Sequence, residues 1–432
     1  MVGILIASIG SGFAQPYLVA GIGVSLIIIF STFYLLFSKR LKVIFLLPIV
    51  FLGAAYFFIY DWRNQPDPLS FGRKQTIYGI IVGAEQRLET QKIILQIHGQ
   101  DALVQIATQR YPEFAYGDLV EVIGAIQPIE GEWADYFMKE GIAGLMGFPK
   151  INLISKNNGS SVKAGLLRIK SFFVASYKKI FTFEQATFLS GLTLGETAEF
   201  GDEFKEKLRA TGTSHLVALS GYNITMIIQL IFSALGGWWL TKKFSFSIST
   251  FLVVAFVVMT GAEASVVRAA IMAFILLLAE RIGRLDYVRN SMAAAALAMV
   301  VYNPRVLVFD IGFQLSFAAL IGIVYLKPWL ERLPVLRGKA GFGKWRENLR
   351  TTTAAQIAVL PLLLYHFSYF SPIGLITNVL ILPAVPYAMM MGFALAPAAA
   401  LFQPLAWLFG LPVNFILSYI LWIIDLFSKI SL

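Results

Sequence analysis

The sequence contains no cysteine and only three histidines, so several kinds of chemistry are excluded before any motif is considered. Without cysteine there can be no disulfide, no thiolate nucleophile and no thiolate-bound metal. The histidines lie at positions 98, 215 and 366, which is no zinc-binding spacing. We therefore expect neither a metal nor a cofactor. The chain also lacks a glycine-rich P-loop, so it has no ATP-binding motif of its own.

Charge is scarce as well, because charged residues make up only 14% of the 432 residues while 57% are hydrophobic. Soluble domains carry about 25% charged residues. An apolar helix needs about 17–25 residues to cross a bilayer. Candidate runs lie at 14–37, 42–60, 216–240, 246–262, 264–280, 288–302, 310–326, 352–369, 373–396 and 405–427. The composition thus predicts a polytopic α-helical membrane protein with about 8–11 spans.

The formal net charge of +10 is explained by topology, since lysine and arginine cluster in alternate connections between the runs. Such clusters mark cytoplasmic loops. This orientation places the N-terminus and residues 61–215 outside. Seven of the 17 prolines lie between 361 and 412, which predicts broken or kinked helices there.

Residues 70–155 have the composition of a soluble β domain. Short β-branched runs occur at 74–83, 88–97, 102–107, 117–126 and 145–154. Together with a turn at Gly99–Asp101 and a short helix over 133–140, they predict a small extracytoplasmic β-barrel of the OB type. Barrels of this type bind single strands through basic grooves. Residues 70–160 nevertheless carry eight Lys/Arg against ten Asp/Glu, so a structural or docking role stays open.

A basic stretch follows at 161–180, where cations alternate with apolar residues. Its cations are Lys163, Arg168, Lys170, Lys178 and Lys179. This pattern predicts an amphipathic helix on the outer membrane surface, which binds lipid headgroups or gathers a polyanion. Residues 186–195 are too short to span and predict a half-helix or re-entrant segment. The chain accordingly divides into 1–62 (two spans), 63–157 (OB-like domain), 158–200 (interfacial segment) and 201–432 (multi-span domain).

Polar residues within the spans gather at one predicted leaflet. In the predicted topology the outer ends of five spans carry His215, Ser220, Asn223, Glu263, Ser265, Arg268, Asp310, Gln314 and Asn378, with Arg305 and His366 nearby. Polar groups at this depth are costly and therefore indicate function. We interpret them as the lining of a substrate path.

Arg268 is the most costly of these residues to bury. It lies about 6 Å below the outer end of its helix, at 1.5 Å per residue. Ser265 shares its helical face, whereas Glu263 points elsewhere. Arg268 therefore needs a partner from another helix, such as Asp310, or an anionic ligand such as phosphate. Both interpretations stay open.

Four ordered motifs carry a resemblance to a known family. They are Thr213–Asn223 (TSHLVALSGYN), Gly261–Met272 (GAEASVVRAAIM), Phe309–Ala318 (FDIGFQLSFA), and Ala354–Phe370 followed by Thr377 and Asn378. This set resembles the ComEC family of competence proteins. The resemblance implies a channel in the bacterial inner membrane that takes up single-stranded DNA during natural transformation. It also implies membrane lipids, a DNA receptor, a separate cytoplasmic ATPase and a separate nuclease as partners.

The sequence departs from that family in two respects. Asn223 stands where the family usually has histidine, so a proton or metal role at this position is in doubt. Many members continue into a metallo-β-lactamase-like domain, whereas this chain stops at Leu432 without a His-x-His-x-Asp-His cluster. We therefore expect a short form without nuclease activity, and no enzyme.

Two other functions are compatible with the same residues. A secondary transporter of a small anion would also use broken helices and a buried arginine, although no inverted repeat is visible. A membrane-embedded hydrolase would use His215 and Ser220. These two are five residues apart, so a continuous helix would not bring them together.

Overall fold

The computed structural model describes residues 46–131, 134–219, 242–282, 288–333, 345–401 and 403–431. The predicted span at 14–37 and nearly all of the one at 216–240 lie outside these residues. The second predicted span corresponds to helix α1, Leu46–Arg63.

A six-stranded sheet occupies the segment predicted to be β. Its strands are β1 (Lys74–Gln86), β2 (Thr90–Ile97), β3 (Leu103–Gln109), β4 (Leu119–Ala125), β5 (Ile142–Gly147) and β6 (Lys150–Ser155), in the order β5-β3-β2-β1-β4-β6. All pairs are antiparallel except β3 with β5. Alternate residues of β2 point into one core, which explains the period of two in the sequence. The short helix α2, Ala134–Lys139, precedes β5.

The predicted small β-barrel is not closed, because the six strands form an open sheet. The fifth predicted run forms two strands, since Phe148 adopts a positive φ of 46° and Pro149 follows it. The second of these strands, β6, occupies the free edge of β4. Only one antiparallel bridge, between Gln127 and Leu145, joins β5 to the segment after β4.

Gln91 is a buried polar residue near the start of β2, with 1% of its surface exposed. Its Nε2 donates to the carbonyls of Gln109 at the end of β3 (2.9 Å) and of Arg110 (3.2 Å) and Pro112 (2.7 Å) in the loop that follows. Its Oε1 accepts from the Phe114 N–H in the same loop (3.2 Å). One side chain thus fixes the path of the loop.

Replacing Gln91 by leucine should therefore lower the free energy of unfolding of the sheet. We expect a loss of about 1–3 kcal/mol for each buried polar group left without a partner. Thermal unfolding of the purified chain measures it. The same change at Gln96, which is exposed on the same strand, is the control. Equal melting temperatures for the two variants would contradict this role of Gln91.

Two helices connect the sheet to the rest of the chain. Helix α3, Ser161–Ile180, forms at the predicted basic stretch and packs against the following helix α4, Phe183–Leu194. Every residue of α4 from Gln185 to Leu194 is buried. Gln185 donates to Asn414 Oδ1 at 2.6 Å and to Ser418 Oγ at 3.0 Å. The short apolar stretch is therefore an internal helix.

The remaining helices form the larger part of the molecule. They are α5 (Asp202–Ala210), α6 (Ser214–Val217), α7 (Lys242–Met259), α8 (Ala264–Ile282), α9 (Val288–Tyr302), α10 (Val306–Phe309), α11 (Ile311–Ile321), α12 (Lys327–Leu330), α13 (Trp345–Phe367), α14 (Gly374–Ile381), α15 (Val385–Leu401) and α16 (Gln403–Ser431). A π-helical turn, Gly322–Leu326, joins α11 to α12.

Two of the described helical segments are long and apolar enough to cross a membrane, namely Ile311–Leu330 and Leu408–Ile430. A third crossing is formed if α14 and α15 make one span. The two helices are bent by 50° at their junction. Pro383 lies at this break, as the proline-rich C-terminal sequence predicted. Shorter apolar helices cover Phe246–Met259, Ala264–Ala279 and Val288–Tyr302.

Candidate functional site

The segment before α6 is hydrogen-bonded to α14 and to the residues that precede α14. Thr377 Oγ1 donates to the Thr211 carbonyl at 2.7 Å, and Ser371 Oγ donates to the Ala210 carbonyl. The hydroxyls of Thr211 and Thr213 lie 2.8 Å apart. All four hydroxyl-bearing residues are buried. Two motifs that are far apart in sequence are thereby joined into one structure.

Glycines allow this close approach. Gly212 has a φ of +64°, and a Cβ added there would lie 3.0 Å from the Gly374 Cα. The loop then enters α6, where His215 Nδ1 lies 3.1 Å from the Gly212 carbonyl oxygen and the ring is exposed. Within the described part of the chain, His215 is thus oriented by a backbone carbonyl and not by a carboxylate.

Thr377 offers a direct test of this junction. Thr377→Val keeps the shape of the side chain but leaves the buried Thr211 carbonyl without its donor. We expect a loss of about 1–3 kcal/mol in the free energy of unfolding. Thr377→Ser retains the hydroxyl and should lose much less. Thermal unfolding in detergent compares the two, and a valine variant as stable as the serine variant would contradict the assignment.

Arg268 lies on α8 and does not pair with Asp310, contrary to one of the two sequence interpretations. Its guanidinium stacks over the Phe317 ring, with the Cζ atom 5.6 Å from the ring centroid. Its Nη1 is buried and has no hydrogen-bond partner among the residues that the structure describes. On the same helix, Ser265 Oγ donates to the carbonyl of Leu219, which belongs to the motif that contains His215.

Asp310 pairs instead with a lysine of the sheet-bearing segment. Lys139 Nζ, on α2, lies 2.8 Å from Asp310 Oδ2 and 2.6 Å from Glu140 Oε1. Burial lowers the pKa of the Lys139 ammonium, but its hydrogen bonds to these two carboxylates outweigh burial and raise the pKa. Asp310 Oδ1 also caps α11 by accepting from the Phe313 N–H at 2.9 Å.

Gln314 connects α11 to α13. Its Oε1 lies 3.1 Å from His366 Nε2, and its Nε2 donates to the Val308 carbonyl at 2.7 Å. This contact unites two of the predicted polar residues.

The other predicted residues are placed as follows. Glu263 is exposed at the start of α8 and makes no ion pair with a described residue. Asn378 is 1% exposed, and its Oδ1 has no hydrogen-bond partner within the described ranges. The buried Gln356 Oε1 also has no hydrogen-bond partner among the described residues. Ser220 and Asn223 lie outside the described residues.

The cations of α3 are less available than the basic stretch suggested. Lys170 pairs with Glu196 at 2.6 Å, and Lys178 pairs with Glu199. Lys163 donates to the Val82 carbonyl at 3.1 Å and lies over the Tyr116 ring. Only Arg168 and Lys179 are exposed without a described partner.

Sequence reasoning missed several residues of this region. Lys139 was not singled out because its partner is 171 positions away. The hydroxyls of Thr211, Thr213 and Ser371 were missed because threonine and serine are common in loops. The sequence Thr211-Gly212-Thr213 before His215 could have indicated this loop, since a glycine between two threonines favours a tight turn. In the described part of the chain, no group of three or more His, Cys, Asp and Glu side chains could hold a metal ion.

Comparisons with known proteins agree on one family. The family model described as Competence protein matches residues 192–432, which include α5 to α16. The ComE operon protein 3 of Bacillus subtilis (strain 168) is 24% identical over 294 residues, which are 68% of this chain and 36% of that protein. The chain thus spans about a third of that relative's length. No solved structure matches. With its motifs, its apolar helices and this match over more than half of its length, the chain belongs to the ComEC family of competence proteins.

Proposed function

We propose that this protein is a multi-pass protein of the bacterial inner membrane that conducts single-stranded DNA into the cell during natural transformation. Family membership supports a role in competence. The finer proposal rests chiefly on one observation, the half-buried Arg268, whose buried Nη1 has no described hydrogen-bond partner. A guanidinium binds phosphate through two parallel hydrogen bonds, and an unpaired one is costly unless a ligand binds it.

The surrounding residues extend this site. Helices α8, α11, α13 and α14 contribute Ser265, Gln314, His366 and Asn378. The loop that contains Thr211 and Thr213, here called the threonine loop, lies against α14. Phe317, itself buried, lies beneath the Arg268 guanidinium and restricts its orientation, which suits the binding of one phosphate group. We propose that these groups line the path of the strand, together with Glu263, Asp310, Ser220 and Asn223.

We also propose that the sheet is an extracytoplasmic OB-like domain. The parallel pairing of β3 with β5 and the pairing of β4 with β1 support this. The open sheet is compatible with it, because OB-folds are often partly open. With most cations of α3 paired internally, this region supports docking onto the helices or onto lipid headgroups more than broad electrostatic capture of DNA. Energy, a receptor and any nuclease would come from partners.

A small-anion transporter is the second candidate. The 50° break between α14 and α15, with the buried Asn378 close to it, resembles the broken helices that form binding sites in secondary transporters. A hydrolase has less support, since His215 contacts a backbone carbonyl.

Deleting the gene from its host and restoring it tests the proposal. We expect transformation by added DNA to disappear in the deletion strain and to return with the intact gene, while growth and phosphate uptake stay unchanged. Normal transformation in the deletion strain would contradict the proposal. A defect in anion uptake alone would favour the second candidate.

A further inference from the structure

Helix α2 connects the sheet-bearing segment to the helical part of the molecule through one ion pair. The Lys139 and Asp310 side chains are each only 10% exposed, and their charged atoms are 2.8 Å apart. Helix α2 belongs to the connection between β4 and β5, whereas Asp310 begins α11. The helix also packs against α10, so it covers the turn that leads into α11.

Both charges keep a partner if this pair separates. Lys139 remains bonded to Glu140 at 2.6 Å, and that carboxylate moves with α2. Asp310 remains bonded to the Phe313 N–H, which moves with α11. Breaking a buried ion pair is costly mainly when it leaves an uncompensated charge. Each group thus keeps one hydrogen bond when the pair separates, which reduces the cost of opening.

Glycines flank α2 on both sides. Gly131 has a φ of +86° and Gly141 a φ of +73°. A Cβ added at Gly131 would meet no atom within 4 Å, and at Gly141 the nearest atom is Leu103 Cδ1 at 3.8 Å. Hinges are commonly a few residues at element ends that absorb a backbone rotation, and unhindered glycines suit this role.

The helix lies close to two acids of the proposed DNA path. Burial raises the pKa of the Tyr136 phenol on α2. The charges of Glu140, Asp310 and Glu263 raise it further, against the opposing charge of Lys139. Asp310, at the start of α11, is thus in direct contact with α2, and the charge of Glu263, at the start of α8, acts on the same phenol.

We propose that α2 is a lid, held by the Lys139–Asp310 pair, that closes the outer end of the path between α8 and α11 and swings away on its flanking glycines. This inference rests on the proposed function, because a lid matters only if something passes beneath it. In the closed state the lid also positions Asp310 as the cap of α11.

Crosslinking tests the lid in the full chain, which has no native cysteine to interfere. Lys139→Cys and Asp310→Cys are combined and joined with a reducible bis-maleimide in proteoliposomes. We expect the crosslink to stop most of the influx of a fluorescent oligonucleotide and a reductant to restore it. Lys139→Cys alone, treated with the same reagent, is the control and should conduct as before. Crosslinked protein that conducts as well as the reduced protein would overturn the lid.

A second measurement does not depend on DNA transport. Asp310→Asn keeps an oxygen that can cap α11 but loses the charge. Glu140→Gln removes the second carboxylate that contacts Lys139, and this carboxylate does not connect α2 to α11. We expect backbone hydrogen exchange in residues 134–139 to be roughly tenfold faster in Asp310→Asn, the effect of losing one charge-assisted hydrogen bond. Glu140→Gln should exchange like the natural protein. Unchanged exchange in Asp310→Asn overturns the lid even if the protein conducts no DNA, and absent influx with altered exchange counts against the proposed function alone.

Discussion

Replacing Arg268 by methionine should reduce DNA uptake roughly ten- to a hundredfold, which is the effect of losing one or two charge-assisted hydrogen bonds to phosphate. Methionine retains the unbranched apolar stem that packs against Phe317, so the helix contact should survive. The charge and the two-pronged geometry of the guanidinium are removed. Uptake of labelled single-stranded DNA at matched protein levels measures the effect.

Two further variants separate charge from packing. Arg268→Lys retains the charge without the planar fork, and we expect intermediate uptake. Arg289 also stacks on an aromatic ring, with its Cζ atom 5.1 Å from the centroid of Tyr325, but it lies at the start of α9 and is not among the residues proposed to line the path. Arg289→Met should therefore leave uptake unchanged. Equal uptake by Arg268→Met and the natural protein would make Arg268 a packing residue.

Gly212→Ala should impair both stability and uptake, because two penalties act at the same position. A side chain in the left-handed region costs about 1–3 kcal/mol. Contact of the new methyl group with the Gly374 backbone, 3.0 Å away, adds about 1–3 kcal/mol of overpacking. The buried threonine loop would then shift away from α14. Thermal unfolding in detergent and transformation frequency measure the two effects.

Gly261 provides a matched control. Its φ is +87°, yet an added Cβ would have no atom within 4 Å. Gly261→Ala should therefore show the conformational penalty alone and retain uptake. If both alanine variants lose the same stability, the contact between Gly212 and Gly374 does not hold the two motifs together.

Elements with a strong local pattern could be predicted from the sequence. The alternation of β2, the turn at Gly99 and the basic helix α3 agree with the structure, because each depends on neighbouring residues. The break near Pro383 is of the same kind, since proline removes a backbone donor from the helix. The domain boundaries and the substrate path stay predictions.

Long-range pairing could not be predicted. Asp310 was offered as a partner for Arg268 because both were expected in one leaflet, yet a lysine from the sheet-bearing segment takes that carboxylate. Likewise, the internal acids Glu196 and Glu199 neutralise cations of α3 that looked free for lipid or DNA. Such pairings depend on how distant segments meet in space, and no sequence periodicity indicates them.

Influx of labelled single-stranded DNA into proteoliposomes that contain only this purified protein tests the central claim most directly. We predict that the oligonucleotide enters down its gradient without ATP, that Arg268→Met abolishes most of this influx, and that inorganic phosphate does not exchange. Saturable phosphate exchange with no oligonucleotide influx would contradict the account and identify a small-anion transporter.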